Sequence, residues 1–334
     1  MLQEWLIKNS APVVRYKTLV ELMIMNNNDA ALVQDALTDV VSMPQAQKRL
    51  MFLKNLDYAK THGSSTMYLE NTLPMLNDIG LYYGINDFKY ETKIIKKISA
   101  VVTANDYDKL IAYPFLLRSK FPIAGLIDYA VERIYTIYDF TRRMDFDIYD
   151  DITDYKSVPE SFRDRPIIKP EINGHLPMIY DMVAMEAVYD HVTAQVQAQI
   201  DNIIEYVISP DYDIVEPMYG ISCTAPRKYY AKGWDCKKPF NDNQDYSNPN
   251  LHRLLLYSTF PSAVKSAWFK NALDFLSQYK TTSGTYIFPK EYLPETDSNW
   301  VLGVRMSLGE NRRKKQWAEI ESTFHMLKLL ARTE

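Results

Sequence analysis

Glycine supplies only 10 of the 334 residues, about 3 % where ~7 % is usual. It is the residue that enters the left-handed backbone region without steric cost, so tight hairpins, dinucleotide-binding turns and phosphate-cradling loops all draw on it. A chain this poor in glycine is predicted to be mostly helical. Its length allows a hydrophobic core without disulfide or metal staples, and an apolar fraction of 47 % supplies one. No Val/Ile/Thr run with period-two alternation competes with the helical reading.

The helices announce themselves by spacing and caps. Ser10 stands at an N-cap position with Pro12 in the first turn, and Val13, Tyr16, Val20 and Met23 then recur at helical intervals. Comparable segments are predicted at 30–41, 45–55, 71–83, 90–104, 108–120, 125–143, 176–191 and 194–208. Asn248-Pro249 opens another, interrupted at Pro261 and resumed over 262–279. Ser307-x-x-Glu310 matches a capping box ahead of a last helix striped by Trp317, Ile320, Phe324, Leu327 and Ala331. Consecutive segments joined by short polar connectors read as antiparallel pairs, and no low-complexity linker divides them. The expected fold class is therefore all-α, one domain over 1–334. Its expected form is an α/α toroid of about five to six helix pairs, with 145–174 and 209–247 as long irregular loops on one rim.

Charge and cysteine content bound the partners and the compartment. Lys and Arg total 38 against 42 Asp and Glu, a net of -4, so no global positive field exists to hold nucleic acid by counterion release. Cys223 and Cys236 are too few for a disulfide framework and suit a reducing environment. The first residues lack a basic segment followed by an apolar one, and the longest apolar run, 110–117, is far short of a bilayer span. A cytoplasmic protein with no membrane span is expected.

Three groups of residues offer chemistry. Asp145, Asp147, Asp150, Asp151 and Asp154 put five acids into ten residues, which either solvates the segment or recruits a divalent metal. Within it Asp150-Asp151-x-x-Asp154 has the form with which isoprenoid synthases hold magnesium diphosphate. On a helix, Asp150 and Asp154 would share a face. The second group is aromatic: Tyr212, Tyr219, Tyr229, Tyr230, Trp234, Phe240 and Tyr246, threaded with Cys223, Asp235, Cys236 and His252. Such crowding in a loop either walls a pocket or fastens the loop to the body. The third group spans Ser283–Trp317 and includes Tyr286, Trp300, Arg305, Glu310 and Arg312-Arg313-Lys314-Lys315, the last placed at the opening of the final helix. There cations oppose the dipole, so an anionic ligand or neighbouring glutamates must balance them. Glu321 reads as a paired structural acid. The five histidines show no metal-ligand spacing, and no hydrolase, zincin or nucleotide-binding motif occurs.

Ala272-x-x-Phe275-Leu276-x-Gln278, followed by Gly284-x-Tyr286, resembles the Gln-Trp repeat of squalene and terpenoid cyclases, with Tyr286 in place of Trp. Pro12-Val-Val-Arg15-Tyr16 and the tail from Tyr286 to Leu327 are similar to bacterial proteins of the prenyltransferase and squalene-cyclase superfamily. The resemblance implies a ring of paired helices around a ligand cavity. The cyclases' Asp-x-Asp-Asp acid has its nearest counterpart in Asp147-x-x-Asp150-Asp151, and the protein prenyltransferases' zinc pair in Asp235-Cys236 with His252. The reading that follows is a protein binding a partly apolar small molecule or a peptide in an aromatic-lined central cavity. Asp150 and Asp151 are the catalytic candidates if it is an enzyme; Tyr219, Trp234, Tyr286, Trp300, Arg305 and Arg312 are the ligand-binding candidates. The alternatives are a non-catalytic toroid holding a peptide, glycan or protein, and a carbohydrate-active enzyme. No metal site or cofactor is assigned.

Overall fold

A computed structural model describes residues 2–23, 30–57, 60–85, 88–102, 106–240 and 250–333, the side chains of 101, 102, 106–108 and 154 excepted. Tyr246, Asn248 and Pro249 and the side chains of Asp108 and Asp154 thus lie outside it. Among the described residues there are fourteen α-helices. The first eight are α1 (Leu2–Asn9), α2 (Pro12–Lys17), α3 (Ala30–Ser42), α4 (Pro44–Lys54), α5 (Leu69–Asp78), α6 (Thr92–Val102), α7 (Asp106–Arg118) and α8 (Leu126–Thr141). The rest are α9 (Ile179–Val188), α10 (Ala194–Ile208), α11 (Leu251–Tyr257), α12 (Pro261–Lys265), α13 (Ala267–Ser277) and α14 (Trp317–Leu330).

The fold is mainly helical, at 57 %, but not all-α, and this corrects the expectation of an all-helical ring. The two segments read as irregular rim loops build a mixed four-stranded sheet. Its strands are β1 (Tyr149–Asp150), β2 (Ile167–Ile168), β3 (Ile221–Ala225) and β4 (Lys228–Ala231), in that order. β1 and β2 run antiparallel, β2 and β3 parallel with Ile167 opposite Ile221, and β3 and β4 form a hairpin. Strands of two to five residues are too short to show an alternating pattern, and the central parallel pair joins segments far apart in the chain. Gly220 is required where β3 begins: its φ is +96°, and a Cβ there would lie 2.3 Å from the carbonyl oxygen of Pro166. That same carbonyl accepts from Ile221 N–H at 3.0 Å and starts the parallel pairing.

Two helices are interior. In α5 every residue from Leu69 to Asn77 is buried, and α9 is buried over Ile179 to Met185, with α7 packed between and against both. α8 packs on α9 and on α10, and α14 closes the chain by packing against α1, α2 and α11. The chain ends are also tied through Glu310, whose carboxylate accepts from Ala11 N–H at 2.6 Å in front of α2. Ser307 and Glu310 therefore do not form the expected capping box: α14 starts only at Trp317, and Ser307 accepts from Gly309 N–H. The segment expected as one helix over 262–279 is two, because the Ser266 hydroxyl caps α13 at Phe269 N–H.

Candidate functional site

Buried polar residues need partners, and those of α5, α7, α9, α11 and α14 converge on a partly open chamber of about 70 Å3. That is room for a carboxylate or a few waters. Lys17, Asp78, Arg118, Glu186, His252, Arg305, His325, Lys328 and Arg332 supply its polar wall, and Leu255, Leu256, Met306, Leu308 and Phe324 the apolar remainder. Five of these side chains are cationic against two carboxylates.

Local structure explains how each group arrives. Lys17 ends α2, and the chain continues into a π-helical turn, Thr18–Leu22, a geometry often found at functional sites. The turn brings Glu21 between Lys17 at 2.5 Å and Lys328 of α14 at 2.9 Å. Burial works against the Glu21 charge, but the two lysines outweigh it and hold the carboxyl well below the usual range. Asp78 and Arg118 stand at the last positions of α5 and α7. Asp78 accepts from the Trp300 indole N–H at 2.6 Å, and the Arg118 guanidinium lies over the Trp300 ring at 5.2 Å. Arg118 faces Glu186 at 3.2 Å and Asp78 at 3.8 Å. These are ion-pair distances, yet the buried Arg118 Nη1 and Glu186 Oε2 make no hydrogen bond.

His252 joins the wall from α11. Asn250 caps α11 by accepting from Arg253 N–H, and its amide donates to Leu302 C=O, joining α11 to the 300–305 segment. Gly303, at φ +70°, makes that approach possible, since a Cβ would fall 2.1 Å from the Asn250 side-chain oxygen. His252 meets Trp300 edge-on at 4.2 Å, and its Nδ1 is buried without a hydrogen-bond partner. Burial lowers His252 to about 4, keeping the ring neutral at neutral pH. His325 is likewise lowered to about 4 by burial, but its Nε2 contacts the Met306 carbonyl at 3.2 Å.

The chamber abuts a larger cleft of about 1050 Å3, with Arg118, Glu186, Thr259 and Arg332 forming part of both walls. Much of the cleft is apolar, including Ile85, Leu117, Phe121, Ile123, Leu126 and Val264.

The residues expected from sequence divide sharply. Arg305 lines the chamber, whereas Trp300, at 1 % exposure, does not line it but touches Asp78, Arg118 and His252 of its wall. Asp150 sits in β1 and bonds the Tyr155 hydroxyl at 2.5 Å; Asp151 is exposed and caps a 3-10 turn through Thr153. The segment is extended rather than helical at Asp150, so the shared helical face expected for Asp150 and Asp154 is not built, and neither Asp150 nor Asp151 lines the chamber or the cleft. Tyr219 is fully buried in a tyrosine cluster, bonded to Tyr212 and to Pro177 C=O, each at 2.5 Å. Trp234 is half-buried at φ +62°. Tyr286 is held by its N–H to Thr323, which ties the segment after α13 to α14. Arg312 does not open a helix but precedes it, stacked over Trp317 at 3.7 Å and paired with Glu295 and Glu321. Glu321 is wholly buried and also accepts from Leu308 N–H, the structural role expected of it.

Asp235, Cys236 and His252 are separated by function: Asp235 pairs with Arg253 at 3.1 Å, and buried Cys236 donates its N–H to Tyr212. Among the described residues no group of three or more His, Cys, Asp or Glu side chains is placed to hold a metal ion, and no helix is long and apolar enough to cross a membrane. Sequence reasoning missed Lys17, Asp78, Arg118, Glu186 and Lys328. The usable signal was burial pattern: Lys17 follows Tyr16 and precedes Leu19 on a buried stripe, where a solvated lysine does not belong. No protein-family model matches the chain, and no curated protein or solved structure matches it significantly.

Proposed function

We propose that this protein binds a small amphipathic anion, with the charged group in the chamber and the apolar part in the adjoining cleft. The observation that carries the reading is the charge imbalance of the chamber wall. Lys17, Arg118, Arg305, Lys328 and the exposed Arg332 face Asp78 and Glu186, and after Glu21, which pairs with both lysines, and Asp297, which pairs with Arg305, are counted, one net positive charge remains. At an effective dielectric near 20, one net charge about 4 Å from an anion contributes roughly 4 kcal/mol before desolvation, enough to favour an anion over a neutral analogue of the same shape. The apolar cleft supports the partly apolar ligand expected from the sequence. An isoprenoid hydrocarbon alone would leave this wall unanswered. A sugar would want an aromatic platform, but Trp300 and Tyr286 are sealed at 1 % and 5 % exposure. The free thiols of Cys223 and Cys236 suit a reducing, cytoplasmic setting.

Calorimetric titration with decanoate, decan-1-ol and acetate tests the reading. Decanoate is expected to bind at least about tenfold more tightly than decanol, a difference of about 1.4 kcal/mol, and more tightly than acetate. Equal affinity for decanoate and decanol would overturn the anionic reading; no binding of decanoate would overturn the site.

A further inference from the structure

Behind Arg305 lies a second concentration of charge. Arg49 on α4 and Arg305 are 5 % and 7 % exposed, and both guanidiniums reach the same carboxylate oxygen of Asp297, whose side chain is 47 % exposed. Arg49 approaches it at 3.4 Å, and Arg305 contacts it directly. Two buried cations therefore share one half-solvated anion. The remaining Arg49 contacts are neutral: Nη1 donates to Gln45 C=O at 3.1 Å, Nη2 reaches the Met75 sulfur at 3.0 Å, and Nε is buried with no hydrogen-bond partner. Burial first, and then the positive charge of Arg49 beside it, depress Arg305 to about 10.

Asp297 reaches this site from an exposed bend rather than from the core. Thr296 N–H bonds Val304 C=O at 3.0 Å, and Asn299 takes a left-handed φ of +51° just before buried Trp300. Arg49 is fixed by α4 and Arg305 by a single β-bridge to Glu295, whereas the Asp297 carboxylate hangs from a solvated turn. Paired guanidiniums offer the planar donors that a carboxylate accepts.

We infer that Arg49 and Arg305 form a carboxylate-binding site that the chain's own Asp297 fills, and that a carboxylate from a bound molecule takes its place when the 296–299 bend swings out. The site goes beyond the chamber reading and meets it only at Arg305, which belongs to both walls.

Chemical rescue tests it. Asp297→Ala, with Asp297→Asn as the variant that keeps side-chain volume, is expected to lower the Tm. Sodium acetate then raises the Tm of either variant by about 2 °C or more above the effect of sodium chloride at equal ionic strength, and leaves the unaltered protein unmoved. Adding Arg49→Leu to either variant abolishes the acetate-specific rise. Equal response to acetate and chloride, or a rise that survives Arg49→Leu, would overturn the inference. If Asp297→Ala does not fold, Asp297→Asn decides by the same comparison. A protein that fails to bind decanoate yet shows the rescue refutes the chamber reading alone; one that binds decanoate without rescue refutes this site alone.

Discussion

The chamber and the tyrosine cluster are both buried, both polar and both rich in aromatic rings, yet they treat hydrogen bonds differently. In the cluster Tyr212 and Tyr219 bond each other and Pro177, Tyr257 bonds the Cys236 carbonyl, and Lys238 donates to the carbonyls of Ile208 and Ser209. Asp235 accepts from Met218 N–H, Lys237 N–H and Arg253; burial opposes its charge, but Arg253 and those two N–H groups hold its carboxyl below the ordinary value. Only Arg253 Nε is left over among these groups. Around the chamber, by contrast, His252 Nδ1, Arg118 Nη1 and Glu186 Oε2 remain without hydrogen bonds beside open space. A satisfied polar network fastens the sheet to the helices. An unsatisfied one around a cavity is what a ligand completes.

The largest expected effect probes the fastening side. Asp235→Ala strands Arg253, which is 9 % exposed, without its counter-charge, and is expected to cost about 3–5 kcal/mol in urea unfolding while leaving decanoate affinity unchanged in the folded protein. A loss of binding with intact folding would erase the distinction between the two regions.

Acid probes the chamber side. His252 and His325 are neutral when folded, with values lowered to about 4 from an ordinary 6.5, so the unfolded chain takes up more protons between those limits. Stability is fully present above about pH 6.5 and falls as pH drops toward 4, by up to about 3 kcal/mol for each ring. Unfolding free energy measured across that range in His252→Gln and His325→Gln is expected to show a shallower slope than the parent protein.

Smaller effects sharpen the contrast. Tyr219→Phe removes a hydroxyl that bridges Tyr212 and Pro177 C=O, and is expected to cost about 1–3 kcal/mol. His252→Leu removes a ring nitrogen that has no partner to lose, and is expected to stay within about 1 kcal/mol of the parent while changing decanoate affinity. Asp151→Asn, on the exposed turn, is expected to leave decanoate binding and the unfolding midpoint unchanged.

The helices were readable because their cues are local. α10 begins where the sequence places it, with Thr193 capping it. The sheet was hidden because Ile167 and Ile168 show no alternation by themselves and gain strand character only beside Ile221. Trp300 and Arg305 stood out as a large aromatic and a cation in a segment without a helical stripe. Lys17 and Arg118 did not, because each ends a helix, where a cation answers the dipole and draws no notice. Asp78 and Glu186 become partners of Arg118 only when α5, α7 and α9 pack together, information no single helix carries. Asp150 and Asp151 drew attention through charge density alone, and charge density is also what keeps a loop in water.

The most direct test changes the chamber's charge without stranding a buried partner. Lys328→Met leaves Glu21 paired with Lys17, and Arg332→Gln alters an exposed residue at the shared wall. Decanoate titrated into the double variant is expected to bind about tenfold or more weakly than to the unaltered protein, with decanol affinity unmoved. Undiminished decanoate affinity in a folded double variant would contradict the assignment of the chamber as the anion site.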